Sequence, residues 1–152
     1  MNVLSSLKLS IVALSMLTLA ACSSNPIARI DTTQSLNQHV GDLFLRGVFN
    51  WWEASNTFQF QNIGNDKLSV TVELIADGQP YDFKVADSKW TPFLNCGQAQ
   101  NQGTLELDKA VLLVCQENSL NLQFMPSVTG RFTFILDVSS PGFPELEVIQ
   151  HN

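Results

Sequence analysis

Over residues 68–75 the chain alternates without interruption. Leu68, Val70, Val72 and Leu74 fall on one side, and Ser69, Thr71 and Glu73 on the other. A two-residue period separates core from water only in an extended segment, because successive strand side chains point to opposite faces. The same period recurs in Tyr81, Phe83 and Val85, in Leu120, Leu122 and Phe124, in Phe132, Phe134 and Leu136, and in Leu146 and Val148. Turn formers separate these runs: Gly64-Asn65-Asp66, Asp77-Gly78, Met125-Pro126, Thr129-Gly130 and Pro141-Gly142. Asp77-Gly78 reads as the closure of a hairpin. Residues 43–49 open the series, 57–61 add a strand with Phe58 and Phe60 on one face, and 104–107 and 110–114 add two short ones. No helical period of any length competes. Short half-buried strands must close their apolar faces on each other, so the expected fold is all-β, an immunoglobulin-like β-sandwich of about eight strands.

The first 21 residues lie outside this pattern. Lys8 is their one charge, and the apolar run 9–19 is shorter than the ~20 residues of a membrane-spanning helix. It closes on Leu19-Ala20-Ala21-Cys22, which resembles the lipobox of bacterial lipoproteins. The resemblance implies a lipoprotein signal peptide over 1–21, cleavage before Cys22, a thioether-linked diacylglycerol on Cys22 and acylation of the new amino terminus. Ser23, standing where Asp would retain the protein, implies transfer to the outer membrane of a Gram-negative envelope. An ordinary secretory signal with a chance cysteine is the alternative. Residues 22–41, with Pro26 and no strong period, read as a lipidated tether, and 42–152 as the sandwich.

Charged residues make up 14% of the chain, against roughly 25% in an average soluble protein. Removing 1–21 takes away Lys8 and no acid, leaving seven basic against fourteen acidic side chains, a net charge of −7. Nucleic acid and anionic headgroups need clustered Lys and Arg, so neither is expected as a partner. Cys96 and Cys115 are the thiols left once Cys22 is lipidated, and in an oxidising compartment they read as a disulfide contributing ~3 kcal/mol. A metal pair or a catalytic thiol is the alternative. A metal needs further ligands, yet the two histidines, His39 and His151, stand at the two ends of the domain. No metal, cofactor or catalytic residue is expected. The sequence has no Gly-x-Ser-x-Gly, no phosphate loop and no carboxylate pair marked out by a motif.

Residues 43–52 read Leu-Phe-Leu-Arg-Gly-Val-Phe-Asn-Trp-Trp. If Trp51 and Trp52 are both extended, one faces the core and the other faces water, where it asks for a partner. With Tyr81-Asp82-Phe83-Lys84-Val85 and then Trp90, this order resembles the N-terminal starch- and glycogen-binding-type modules of pullulanases and bacterial α-amylases. It is similar, more distantly, to the glycogen-binding module of the AMP-activated protein kinase β subunit. Asn95-Cys96-Gly97 and residues 129–137 match later parts of the bacterial pattern, so the resemblance spans about residues 42–149. Trp51 departs from it, replacing a small polar residue.

The resemblance implies a carbohydrate-binding face on which Trp52 and Trp90 stack against sugar rings while Lys84 and Asn95 bind their hydroxyls, with Trp51 beside them. An indole offers a flat apolar face with a negative π cloud to the C–H groups of a pyranose. The bland alternatives are core tryptophans at 51 and 52 and a solvated lysine at 84. Arg46, Arg131, Asp77, Asp82 and Asp87 read as surface charges. Two functions are expected from this: an outer-membrane lipoprotein that binds α-glucan or a related glycan without catalysis, or an envelope protein that docks a protein partner through the same aromatics. Either is expected as a monomer anchored to the membrane by its lipid.

Overall fold

The computed structural model describes residue 36 and residues 38–140 and 142–151. The signal peptide, the lipidation site Cys22 and most of the tether lie outside the described residues. Ten strands run through the rest: β1 Phe44–Gly47, β2 Gln61–Gly64, β3 Lys67–Leu74, β4 Tyr81–Ala86, β5 Cys96–Gly97, β6 Val111–Leu112, β7 Val114–Cys115, β8 Leu122–Phe124, β9 Gly130–Asp137 and β10 Glu145–Gln150. They form two antiparallel sheets. One has the order β1-β4-β5-β7, with β8 also paired to β4; the other has the order β2-β3-β9-β10-β6. The all-β sandwich expected from the alternation is therefore the fold.

The alternating residues do what their period demands. Leu68, Val70, Val72 and Leu74 of β3, Phe132, Phe134 and Leu136 of β9, and Leu146 and Val148 of β10 are buried against Leu45, Phe83, Val85, Leu122 and Phe124 of the other sheet. Phe83 meets Phe134 across the sandwich edge-to-face, with ring centroids 5.1 Å apart, and Phe124 meets Phe132 at 5.2 Å. Full burial of such a side chain contributes about 1.5–3 kcal/mol, and edge-to-face geometry adds about 1 more. Leu36, inside the segment read as tether, is also fully buried in this core, so packing begins before residue 42.

Several local readings differ: residues 104–107 keep only an isolated bridge from Leu105 to Phe124, and the run 110–114 divides into β6 and the start of β7, in different sheets. Asp77-Gly78 makes a turn, with Gly78 at φ 80° and Gln79 N–H donating to Asp77 Oδ1, but it closes no hairpin. β3 pairs with β2 and β9 and β4 with β1, β5 and β8, so the turn carries the chain from one sheet to the other. The two-residue hairpin is at Asn65-Asp66, where both residues have positive φ, as that turn type requires. Residues 57–61 do not form one strand. Asn56–Phe58 is a 3-10 turn in which Phe58 N–H donates to the Ser55 carbonyl, and Phe58 stacks on Phe49 while Phe60 enters the core. The first strand stops at Gly47, and Val48–Asn50 winds into a 3-10 turn. Gly47 is required by crowding: a Cβ there would lie 2.6 Å from the Asp82 carbonyl oxygen and 2.7 Å from Phe83 Cβ.

Candidate functional site

The outer face of the β1–β4 pair places Arg46 directly opposite Lys84. Alternation sends both side chains away from the core, yet both are buried. Two loops and the segment after β7 lie over this face.

The first loop follows β1. Asn50 is its hub: Oδ1 accepts from Gly47 N–H at 2.9 Å, and Nδ2 donates to the Leu45 carbonyl at 2.9 Å and the Glu53 carbonyl at 3.2 Å. Trp52 N–H donates to the Gly47 carbonyl at 2.9 Å. The loop turns tightly enough to put Trp51 and Trp52 in the left-handed region, at φ 55° and 62°. Neither is extended, so the strand alternation expected for them does not apply. Trp51 is 87% exposed rather than core, and Trp52 is half-buried.

The second loop follows β4. The Asp87 carboxylate accepts from Thr91 N–H at 2.8 Å and Thr91 Oγ1 at 2.6 Å, which makes Asp87 a buried loop staple rather than a solvated charge. Inside the staple Trp90 is left-handed at φ 58°. A bulky residue in that region costs of order 1–3 kcal/mol, and such strain concentrates where a side chain must be displayed. Here it falls on all three tryptophans of the chain.

The two loops bring Trp52 and Trp90 together, with ring centroids 6.2 Å apart and planes inclined by 45°. Arg46 joins the loops. Nε donates to the Trp52 carbonyl and one terminal nitrogen to the Asp87 carbonyl, both at 2.7 Å, and its guanidinium carbon lies 3.8 Å from the Trp90 ring centroid. It is not the surface charge its strand position suggested. Burial lowers its pKa, and the nearby Asp87 charge opposes that shift.

Lys84 is likewise held rather than solvated. Its ammonium donates to the Ser119 carbonyl and, at 3.0 Å, to Ser119 Oγ, while burial lowers its pKa. Ser119 Oγ donates in turn to the Asn95 carbonyl at 3.0 Å. Asn95 is buried, with Nδ2 directed at the Glu117 carbonyl at 3.5 Å. Its Oδ1 has no hydrogen-bond partner among the described residues. The disulfide expected between Cys96 and Cys115 is present, joining register partners of β5 and β7. Asn95 precedes one half-cystine; Glu117 and Ser119 follow the other.

Trp52, Lys84, Trp90, Asn95, Glu117 and Asn121 line one open cleft of about 420 Å³. Four of the five side chains expected at a binding face, Trp52, Lys84, Trp90 and Asn95, are thus assembled; Trp51 is outside the lining. Glu117, Asn121 and Ser119 were missed, and the clue to them is the disulfide, which ties the segment carrying them to Asn95. A second cleft of about 230 Å³ lies between His39, Asp42 and residues 87–94. Its carboxylates are already engaged, Asp87 by Thr91 and Asp42 by His39 Nδ1 at 3.1 Å.

No family profile and no curated protein matches the sequence. Among solved structures, the chain is similar to one described as "Ligand induced structure of AmyP-SBD", a starch-binding domain, with a TM-score of 0.55 and 13% identity over 94% of this chain and 99% of that one. At that identity the likeness concerns the fold alone: two antiparallel sheets packed as a β-sandwich.

Proposed function

We propose that this is a non-catalytic carbohydrate-binding domain, taking an α-glucan or related glycan on the Trp52–Trp90 platform and carried on the outer membrane by a lipid on Cys22. One observation carries the binding reading: two half-buried indoles from different loops, 6.2 Å apart and tilted by 45°, above a polar lining. Sugar rings stack their C–H faces on indoles, and Lys84, Asn95 and Asn121, which line the same cleft, are the polar groups offered to ring hydroxyls. A tilt between the stacking surfaces suits a glucan that curves through α-linkages better than a flat β-linked chain. The cleft lining contains a single carboxylate, Glu117, whereas glycoside hydrolysis uses two, held roughly 5–9.5 Å apart. On the anchor, each buried methylene contributes about 0.8 kcal/mol, so several acyl chains hold where one would not.

The test is intrinsic fluorescence of the purified protein titrated with maltoheptaose. A saturable shift is expected, with affinity reduced about tenfold or more in Trp52→Ala and Trp90→Ala, a loss of about 1.4 kcal/mol. Trp51→Ala should bind like the wild type. Absence of any shift with maltoheptaose or glycogen would sink the proposal. Trp51, 87% exposed beside the 46% exposed Val48 and outside the cleft, favours a second reading in which the loop docks an envelope protein. That reading requires a crosslinker placed at residue 51 to capture the same envelope protein in cells whether or not glucan is present.

A further inference from the structure

We infer that Arg46 is the positioning residue of the platform: it sets the tilt between Trp52 and Trp90 and leaves Trp90 a single face for stacking. Its guanidinium lies over one side of the Trp90 indole, at 3.8 Å from the centroid, well inside cation–π range. A ligand must therefore use the opposite face. The same side chain holds the Trp52 carbonyl through Nε and the Asp87 carbonyl through a terminal nitrogen. Both loops carry left-handed tryptophans, and each is tied at this one group. Lysine cannot replace it. An ammonium is a point donor, whereas the planar fork reaches two carbonyls while its face lies on a ring.

The position argues against a purely structural role. Arg46 is 7% exposed and Lys84, its partner across the strands, 8%. Like charges directly opposite each other are destabilising, so strand pairing alone does not account for a second cation opposite Lys84. Neither residue has a salt-bridge carboxylate among the described residues, where the ion pairs are those of His39, Lys67 and Lys109. An apolar residue at 46 would relieve that repulsion but leave the Trp52 and Asp87 carbonyls without this donor, so stability and the orientation of the rings need separate readouts. The functional consequence, a site preset for a curved glucan, rests on the glycan reading, but the geometry does not.

The experiment uses the whole protein in a sugar-free detergent, as wild type, Arg46→Met and Arg46→Lys. Three quantities are read: the exciton couplet of the paired indoles in circular dichroism, cooperative melting, and fluorescence titration with maltoheptaose and cellohexaose. We expect both variants to melt cooperatively and to lose the couplet. Both should bind maltoheptaose about tenfold or more weakly, with the preference over cellohexaose reduced. A variant that keeps the wild-type couplet, and affinity within about twofold, overturns the inference. If Arg46→Met fails to fold, Arg46→Lys decides. If the wild type binds neither oligosaccharide, the glycan reading fails, and the couplet alone still decides the role of Arg46.

Discussion

Asn50 and Trp51 are neighbours with opposite roles. Asn50 is buried and makes three hydrogen bonds to the backbone of its own loop. Trp51 is 87% exposed in a left-handed conformation. Asn50→Ala should therefore cost about 3 kcal/mol, since it leaves a buried Gly47 N–H and a buried Leu45 carbonyl unpaired. Trp51→Gly should leave stability unchanged or raise it by up to about 1 kcal/mol, because relief of left-handed strain outweighs the entropy glycine adds to the unfolded chain. Urea unfolding midpoints read both, and a loss above about 1 kcal/mol in Trp51→Gly would show hidden packing there. The sequence marks Asn50 as a turn residue but gives no sign that Arg46, Lys84 and Asp87 are buried. Alternation places the first two off the core face correctly. What it misses is that this face is roofed by Trp90 and Ser119, which arrive from 44 and 35 residues downstream in the chain. Burial imposed by such distant segments leaves no mark on local periodicity.

At the level of elements, the long strands were readable and their connections were not. β3, β4 and β9 fall where period two puts them because each has one face in the core along its whole length. The turn at Asp77-Gly78 has hairpin composition, yet β4 and β3 lie in different sheets, a choice made by which apolar faces must meet rather than by the turn. The β3–β9 ladder, at eight residues a side the longest, ends at the register pair Lys67–Asp137. Asp137 holds Lys67 Nζ at 3.1 Å and accepts from Ser139 N–H at 2.9 Å. The hydrogen bonds from Ser139, then Lys67, depress its pKa below the usual 3.8. A depressed carboxyl contributes stability above its unfolded pKa and loses it as pH falls through the folded value. Asp137→Asn should thus lower the melting temperature at neutral pH, with the difference from wild type shrinking as the pH drops below 3.8. A deficit that is constant with pH would mean the carboxylate charge plays no part.

Across the whole molecule, the two sheets divide the labour. One carries a long uninterrupted ladder, while the other is built of short strands whose outer face bears the cleft. Apart from Lys84 on β4, the polar side of that cleft is not on the long strands: Asn95 and Glu117 sit beside β5 and β7, which are two residues each, and Asn121 just before β8. Strands that short have little cooperative pairing of their own, so the Cys96–Cys115 bond takes the place of a ladder. Closing a loop of 19 residues should contribute about 3 kcal/mol, and in a domain of this size its loss lowers the melting temperature by roughly 10 °C or more. Global stability is only part of its effect. With the bond replaced by Cys96→Ser and Cys115→Ser, the segment holding Ser119 against Lys84 becomes free to move. Maltoheptaose affinity should then fall even at temperatures where both proteins are fully folded. The Trp52–Trp90 pair, tied by Arg46 from the other side, should keep its exciton couplet. An unchanged affinity in the folded serine variant would mean that the polar wall holds its place without the bond, and that the disulfide acts on stability alone.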